Sequence, residues 1–195
     1  ATCDGAFYQD KHVLAVGGGN TAVEDTVYLA TRFTRKTTLI HRRRQFRAQA
    51  VLVEELQRAA EEHDIDIKLP YVLDEIVPND DASEIDHVKL RNVETDQVEQ
   101  LQVDGVFLFV GMVPNTGWLA ETLALDDNGY IPADPHTMKT GNQGVFVAGD
   151  CRQNAAMQLA TACSDGVIAA LQLRPYFRDP ESWEQETAAK QTAGW

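Results

Sequence analysis

Three consecutive glycines, between a continuous apolar run and a segment with helical spacing of its apolar residues, constrain the fold of this chain most strongly. Residues Val13–Val16 form a continuous apolar run, which is typical of a buried parallel strand. From Asn20 to about Phe33, apolar residues recur at helical spacing. The sequence Gly17-Gly18-Gly19-Asn20-Thr21-Ala22 fits the pattern G-x-G-x-x-A and stands between the predicted strand and the predicted helix. This context predicts a dinucleotide-binding βα turn rather than an ordinary glycine-rich turn.

Each small residue of this motif has a predicted role. Gly17 allows the tight turn after the strand. Gly19 lets the backbone approach a pyrophosphate, which accepts hydrogen bonds from amides at the positive end of the helix. Ala22 leaves room for the helix to pack closely against the strand. We therefore expect the pyrophosphate of a dinucleotide beside residues 17–22.

The remaining hydrophobic patterns predict a doubly wound, Rossmann-like α/β fold. Strand and helix signals alternate after the glycine turn, with strands at 37–40 and 65–69, a helix at 49–62, a meander over 71–103 that turns at 78–81, and a strand at 106–110. Beyond Pro114 we predict a helix at 118–123, a turn at 126–129, a strand at 145–148, a helix at 157–173 with a long apolar side, and a surface tail from Arg174.

The end of the second predicted strand indicates which dinucleotide would bind. An NAD site requires a carboxylate about 20 residues after the glycines, where it accepts a hydrogen bond from the ribose 2′-hydroxyl. Here the strand ends at His41, and Arg42, Arg43, Arg44 and Arg47 follow. Guanidinium groups bind a 2′-phosphate through paired, charge-assisted hydrogen bonds, whereas a carboxylate would repel it. The sequence predicts NADPH rather than NADH, and the alternative is a solvated basic surface.

The charge of the whole chain excludes other classes of partner. The chain has 17 Lys and Arg residues and 30 Asp and Glu residues, a formal net charge of −13. Nucleic-acid phosphates and anionic membranes repel so acidic a protein. No apolar run approaches the roughly 18 residues of a membrane helix, and no signal peptide is visible. We expect a cytoplasmic protein that binds neither nucleic acid nor membrane.

The cysteines indicate redox chemistry at one place at most. Cys3, Cys151 and Cys163 are too few and too scattered for a disulfide scaffold, and no Cys/His spacing is typical of zinc, so we expect no metal. We interpret Cys151 and Cys163 as packing residues. Cys3 precedes Asp4, a carboxylate that could carry protons to and from the thiolate. From the residues alone, a small buried cysteine is the commoner alternative.

Four segments, taken in order, resemble the low-molecular-weight, bacterial-type thioredoxin reductases. They are residues 1–5 (ATCDG), 17–24 (GGGNTAVE), 41–48 (HRRRQFRA) and 144–150 (GVFVAGD). Members of this family are flavoproteins in which a nucleotide domain is inserted into an FAD domain. The resemblance implies an NADPH-binding domain with the second redox cysteine at 1–112, the C-terminal segment of the FAD domain at 113–175, and a polar tail at 176–195.

The resemblance also implies site residues. Cys3 matches the second, flavin-facing cysteine of the family motif Cys-Ala-Thr-Cys, and Asp4 matches the acid that protonates thiolates. The resemblance places Gly19, Asn20 and Thr21 at the pyrophosphate, Arg42, Arg43 and Arg47 at the 2′-phosphate, Asp150 at the FAD ribityl chain, and Gln158 and Leu159 at the flavin ring through backbone amides. The other expected cofactor-binding residues are Gly17, Ala22, His41 and Gly149.

The activity implied by the resemblance is hydride transfer from NADPH to FAD, then electron transfer to a redox-active disulfide and on to thioredoxin, in a homodimer. The first cysteine of the motif and the N-terminal FAD half are not in this sequence, so we expect a fragment that does not turn over alone. The alternatives are a related flavoprotein that reduces a small disulfide, one that reduces ferredoxin or flavodoxin, and a standalone NADPH-binding module without catalysis. Cys3 argues against the ferredoxin and flavodoxin reductases, which lack the cysteine pair.

Overall fold

The computed structural model describes residues 1–181 and residue 183. The chain divides into two compact units, Ala1–Gly111 and a second unit that begins at Met112. No helix in the described part of the chain is long and apolar enough to cross a membrane. Which cofactor each unit serves stays a prediction.

The first unit contains a parallel sheet and an antiparallel sheet. Its elements, in chain order, are β1 (His12–Gly17), α1 (Asn20–Arg32), β2 (Lys36–Ile40), α2 (Ala50–Glu62), β3 (Ile65–Lys68), β4 (Tyr71–Pro78), β5 (Ile85–Asn92), β6 (Val98–Leu101) and β7 (Gly105–Phe109). Strands β3, β2, β1 and β7 lie side by side in that order and run parallel. The chain winds outwards from β1 in both directions, which confirms the predicted doubly wound fold and places its crevice between β1 and β7.

The central strand is buried on both faces, as its continuous apolar sequence predicts. Val13, Leu14 and Ala15 are fully buried. On one face Leu14 packs in a cluster with Val88 of β5, and on the other face Ala15 packs in a cluster with Leu56 of α2. The parallel sheet is therefore the middle of three layers, between the helices and the antiparallel sheet.

The predicted meander is present as the antiparallel sheet β4–β5–β6. Asn79 stabilises its first turn, because the side-chain oxygen accepts hydrogen bonds from the N–H groups of Ser83 (3.1 Å) and Glu84 (3.3 Å). A short Asn side chain of this kind replaces backbone partners where the chain reverses.

The second unit departs from the sequence predictions at two segments. The predicted helix at 118–123 is wrong, because a short 3₁₀ turn at Gly117–Leu119 stands in its place. The predicted strand at 145–148 is also wrong: within the described residues, this segment makes one isolated bridge, between Lys139 and Phe146. Strands are held by hydrogen bonds to neighbouring strands, so an apolar sequence without such neighbours forms no ladder.

The last helix, α3 (Leu159–Arg178), begins and ends later than the predicted 157–173. Residues 174–178, which were predicted as a surface tail, are therefore helical, and all of them except the half-buried Tyr176 are exposed. Tyr176 packs edge-on against Phe146, with ring centroids 6.4 Å apart, and this tertiary contact helps to hold the helix end. Residues 182 and 184–195 of the predicted tail lie outside the described residues.

One side of α3 exposes apolar residues in the described structure. Leu159, Val167 and Leu171 are 83%, 60% and 67% exposed. Cys163 is exposed in the same row, so its interpretation as a packing residue is wrong, because periodicity predicts a helix but not what covers each face. Cys151 is half-buried.

Candidate functional site

Gly17 occupies the crowded end of β1. A Cβ atom built at Gly17 would lie 2.5 Å from the carbonyl oxygen of Phe109 on β7 and 2.7 Å from Cβ of Ala22 on α1. Ala22 is itself fully buried. The small residues at the two ends of the motif let α1 start directly beside the strand, which is the packing that the motif requires.

Gly19 is open, in contrast to Gly17. No described atom lies within 4 Å of a Cβ built there, and Gly19 precedes α1 as its N-cap without a side-chain hydrogen bond. The first N–H groups of a helix have no partner within the helix, and the N-terminus carries a partial positive charge. Asn20 and Thr21 are exposed in this first turn. The turn therefore offers backbone donors to an anion such as a phosphate.

Gly18, at the second position of the motif, where any residue is allowed, packs against His41. A Cβ at Gly18 would overlap the imidazole ring. The His41 ring is buried and stacks on Phe46, with centroids 5.9 Å apart. Burial, and then the positive charge of Arg47 and its neighbours, lowers the pKa of His41, so the imidazole is neutral at pH 7. His41 is thus a neutral support of the turn and not one of its cations.

Residues 41–49, the arginine loop, have no regular secondary structure and are tied to the glycine turn at two points. The N–H of Arg47 donates to the carbonyl oxygen of Gly18 (2.7 Å), and the N–H of Gln49 donates to Oδ1 of Asn20 (2.9 Å). Asn20 therefore links the two loops through its side chain. This link holds the loops together before a ligand binds, which lowers the entropy lost on binding.

Gly17 and Gly18 of the glycine turn and His41, Arg42 and Arg47 of the arginine loop line one cavity of about 380 Å³, whereas Gly19, Asn20 and Thr21 do not line it. It lies at the carboxyl ends of β1, β2 and β7, where Gly17, His41 and Phe109 contribute to its wall. Arg42 and Arg47 line the same cavity, and no carboxylate among the described residues does so. Doubly wound sheets bind ligands in this crevice, so the structure brings the predicted turn and two predicted cations together where a ligand is expected.

The other two arginines of the loop are placed differently. Arg43 is exposed, as Arg42 and Arg47 are, but it does not line the cavity. Arg44, which the resemblance does not assign, forms a two-point ion pair with Glu94. The four arginines are therefore not equivalent.

Cys3 and Asp4 lie at the start of the first unit, and both are exposed. A 3₁₀ turn at Gly5–Tyr8 follows them. Its first residue is tightly packed, since a Cβ at Gly5 would lie 2.9 Å from Cδ2 of Phe33. The thiol is thus accessible and is anchored to the fold by the next residues, which argues against a buried packing cysteine.

In the second unit, a buried ion pair that the sequence analysis missed holds the Gly149-Asp150 turn. Nε and Nη2 of Arg152 donate to the two carboxylate oxygens of Asp165, at 3.0 and 3.3 Å, and the N–H of Gly149 donates to the same carboxylate at 3.2 Å. The Arg152 and Asp165 side chains are 11% and 8% exposed. Gly149 has a φ of +79°, which favours glycine, and Asp150 is exposed.

Asp165 is ionised in this setting. Burial alone would raise its pKa, but the hydrogen bonds from Arg152 and Gly149 outweigh burial, and the pKa of Asp165 lies below its ordinary value. A sequence signal for this partnership existed, because Asp165 carries the one charge in the otherwise apolar and neutral segment 159–173. A lone carboxylate in such a segment indicates a specific partner.

Asp150 lines a second cavity, of about 400 Å³, together with Asn115 and Met157. Gln158 follows as the N-cap of α3, and Leu159 is the first residue of that helix. Both residues are exposed, so the backbone donors of the first helical turn can reach an acceptor. A carboxylate at a cavity and helix N–H groups suit hydroxyls and ring acceptors of an organic cofactor.

A family model described as Pyridine nucleotide-disulphide oxidoreductase matches residues 2–166 of the chain. The chain belongs to this family. A curated thioredoxin reductase from Rickettsia felis is 39% identical over 177 residues, covering 91% of this chain and 56% of the relative. One from Listeria monocytogenes is 38% identical over 189 residues, covering 96% and 57%. These relatives confirm the resemblance seen in the sequence.

A solved structure matches most of the chain. The crystal structure of thioredoxin reductase from Streptococcus pyogenes is 40% identical and has a TM-score of 0.75, covering 91% of this chain and 56% of that chain. The chain therefore spans about half the length of the family members that it matches.

Proposed function

We propose that this chain provides the NADPH-binding part, the second redox cysteine and part of the FAD site of an NADPH-dependent thioredoxin-disulfide reductase. The observation that carries the proposal is the shared cavity, where the glycine turn meets Arg42 and Arg47. Backbone donors at the start of α1, next to a cavity lined by guanidinium groups, suit a dinucleotide that carries an additional phosphate.

The charges at the cavity favour NADPH over NADH. The guanidinium groups of Arg42 and Arg47 would bind a 2′-phosphate through paired hydrogen bonds, with the exposed Arg43 adding charge from the same loop. NADH would leave these cations without a partner and would lack the carboxylate that its 2′-hydroxyl requires.

Cys3 supplies thiol chemistry in the proposal. In a dithiol pair, one thiolate attacks the substrate disulfide and releases the first substrate thiol, and the second thiolate then closes the enzyme disulfide and releases the other. Cys3 has the second role, and Asp4 moves protons to and from the thiol. Phe7, 75% exposed on the same turn, offers an apolar contact that suits a protein substrate such as thioredoxin.

We place part of an FAD site in the second unit. Asp150 would accept hydrogen bonds from the ribityl hydroxyls, and the N–H groups at Gln158 and Leu159 would donate to the flavin ring. The Arg152–Asp165 pair holds the turn that carries Asp150. When bound, the flavin carries electrons from NADPH to the disulfide.

Further properties of the complete protein belong to the same proposal. A homodimer and a cytoplasmic location follow from the resemblance to the bacterial-type reductases. The net charge of −13 supports the expectation that the protein binds neither nucleic acid nor an anionic membrane.

The proposal is tested on the protein purified from its own source. We expect flavin absorbance and NADPH-dependent reduction of a thioredoxin disulfide. Cys3→Ser should abolish turnover and leave NADPH binding intact, whereas Cys163→Ser, which changes another exposed thiol, should retain turnover. A flavin-free protein that binds NADPH and reduces no disulfide would overturn the proposal in favour of a standalone NADPH-binding module. Reduction of small disulfides or of ferredoxin in place of thioredoxin would point to the related flavoproteins.

A further inference from the structure

The side chain of Arg44 forms an ion pair with Glu94, a residue outside the arginine loop. Its Nε donates to Oε1 of Glu94 (2.7 Å), and its Nη2 donates to Oε2 (2.5 Å). The two parallel hydrogen bonds join a planar guanidinium to a planar carboxylate, so they fix orientation as well as distance. The pair connects the arginine loop to the turn between β5 and β6.

That turn is itself well fixed. Oδ1 of Asn92 accepts hydrogen bonds from the N–H groups of Glu94 (2.9 Å) and Thr95 (3.1 Å). The N–H of Val93 donates to the carbonyl oxygen of Pro70 (3.0 Å), which ties the turn to the segment before β4. Glu94 therefore carries its carboxylate on a turn whose backbone is held by hydrogen bonds.

Backbone hydrogen bonds hold the arginine loop at both of its ends. At the start, the N–H of His41 donates to the carbonyl oxygen of Lys68 (3.3 Å) and the N–H of Tyr71 donates to that of His41 (2.9 Å), and near the end the ties to the glycine turn are at Arg47 and Gln49. The segment 42–46 has no regular secondary structure, and Arg42, which lines the cavity, lies in it. The Arg44–Glu94 pair restrains this segment two residues after Arg42.

We propose that Glu94 is a positioning residue for the 2′-phosphate site: through Arg44 it holds the first half of the arginine loop so that Arg42 and Arg47 face one ligand phosphate together. The inference rests on the proposed function, since it requires that the cavity takes NADPH. Glu94 acts through Arg44, and its carboxylate does not contact the cofactor.

Positioning and simple electrostatics predict opposite signs for the loss of Glu94. Removal of the carboxylate takes a negative charge from the neighbourhood of the phosphate and releases a guanidinium, so charge alone would strengthen phosphate binding. Loss of the restraint lets the loop sample conformations in which Arg42 and Arg47 do not converge, which weakens binding. The direction of the change therefore distinguishes the two accounts.

The test measures binding of adenosine 2′,5′-bisphosphate and of 5′-AMP to the full 195-residue chain at low salt. For Glu94→Gln we expect the bisphosphate to bind about two- to fivefold more weakly, the range of an exposed ion pair, and 5′-AMP to be unaffected. Glu75→Gln is the matched control, because it neutralises a carboxylate on the same antiparallel sheet whose partner is Lys89 (2.7 Å). It should leave both affinities unchanged.

A second variant, Arg44→Lys, keeps the charge and removes the two-point geometry. Positioning predicts the same selective weakening as in Glu94→Gln, whereas charge alone predicts no change. Unchanged or tighter binding of the bisphosphate by Glu94→Gln would overturn the inference while leaving the proposed function intact. A wild-type chain that binds the two ligands equally would overturn the proposed NADPH site and the inference with it.

Discussion

The two units of the molecule are stabilised in different ways. Of the 18 buried hydrophobic side chains in the described residues, 14 belong to the first unit, where they pack between three layers. The other four, in the second unit, are Ile131, Met138, Val147 and Trp183. That unit also relies on a buried ion pair, Arg152–Asp165, and its helix α3 exposes much of its apolar side.

Two short apolar segments, one in each unit, illustrate this difference. Val13–Val16 and residues 145–148 are both four-residue apolar runs that end at a glycine. The first became the centre of a sheet because β2 and β7 pair with it on both edges, whereas the second makes one bridge among the residues that the structure describes. An apolar run predicts that a strand can form, and its neighbours decide whether it does.

The largest expected effect is loss of the ion pair in the second unit. Asp165→Asn leaves the Arg152 guanidinium buried without its counter-charge, which should destabilise the second unit by about 3–5 kcal/mol. Hydrogen exchange of the α3 amides measures this loss. Asp127→Asn, at an exposed carboxylate of the same unit, is the control and should change little. A loss below about 1 kcal/mol would mean that the pair does not stabilise this unit.

Truncation of a buried side chain in the first unit should lower the stability of that unit. Leu39 is fully buried between the sheet and the helices, so Leu39→Ala should cost about 2–5 kcal/mol through lost contacts and a cavity. Leu171→Ala, at a residue 67% exposed, should change stability by no more than about 0.5 kcal/mol. Urea unfolding of both variants checks the contrast, and similar losses would show that the side of α3 is buried in solution.

Arg47→Gln should reduce NADPH affinity about tenfold or more, because a charged hydrogen-bond donor to the phosphate is lost. NADH affinity should be unchanged. Arg58→Gln makes the same charge change at an exposed position on α2 and controls for the net charge of the chain. Equal losses for both dinucleotides would assign Arg47 to a part of the ligand that they share.

Acid should remove the contribution of Asp165 to stability. Its pKa is depressed in the folded state, so the ionised pair stabilises the protein above the unfolded pKa of about 3.9, and this contribution is lost as the pH falls through the lower folded pKa. The stability difference between wild type and Asp165→Asn should be constant near neutral pH and should shrink below about pH 4. Unfolding measured across this range tests the sign, and a difference that grows in acid would contradict it.

The first unit could be predicted largely from sequence because its signals are local. Continuous apolar runs indicated β1 and β7, the segment 37–40 indicated β2, and alternation over 65–69 indicated β3. Helical spacing indicated α1 and α2, and the glycine motif indicated the turn between β1 and α1. In the second unit, the same kind of signal failed at 118–123 and 145–148, where secondary structure depends on partners distant in sequence.

The candidate site, too, could be predicted from the sequence only in part. The glycine motif and the arginine loop were visible as contiguous residues. The contacts that hold them were not, since Gly18 meets His41, Asn20 meets Gln49, and Arg44 meets Glu94 only in the folded chain. No local pattern encodes such pairs, and they determine where the predicted ligands of the phosphate are held.

Titration calorimetry of the 195-residue chain with NADPH and with NADH tests whether the cavity recognises a 2′-phosphate. We expect NADPH to bind at least about tenfold more tightly at low salt and added salt to reduce the preference, because exposed guanidinium groups hold the 2′-phosphate. Equal affinities, or tighter binding of NADH, would contradict the assignment of Arg42 and Arg47 to a 2′-phosphate.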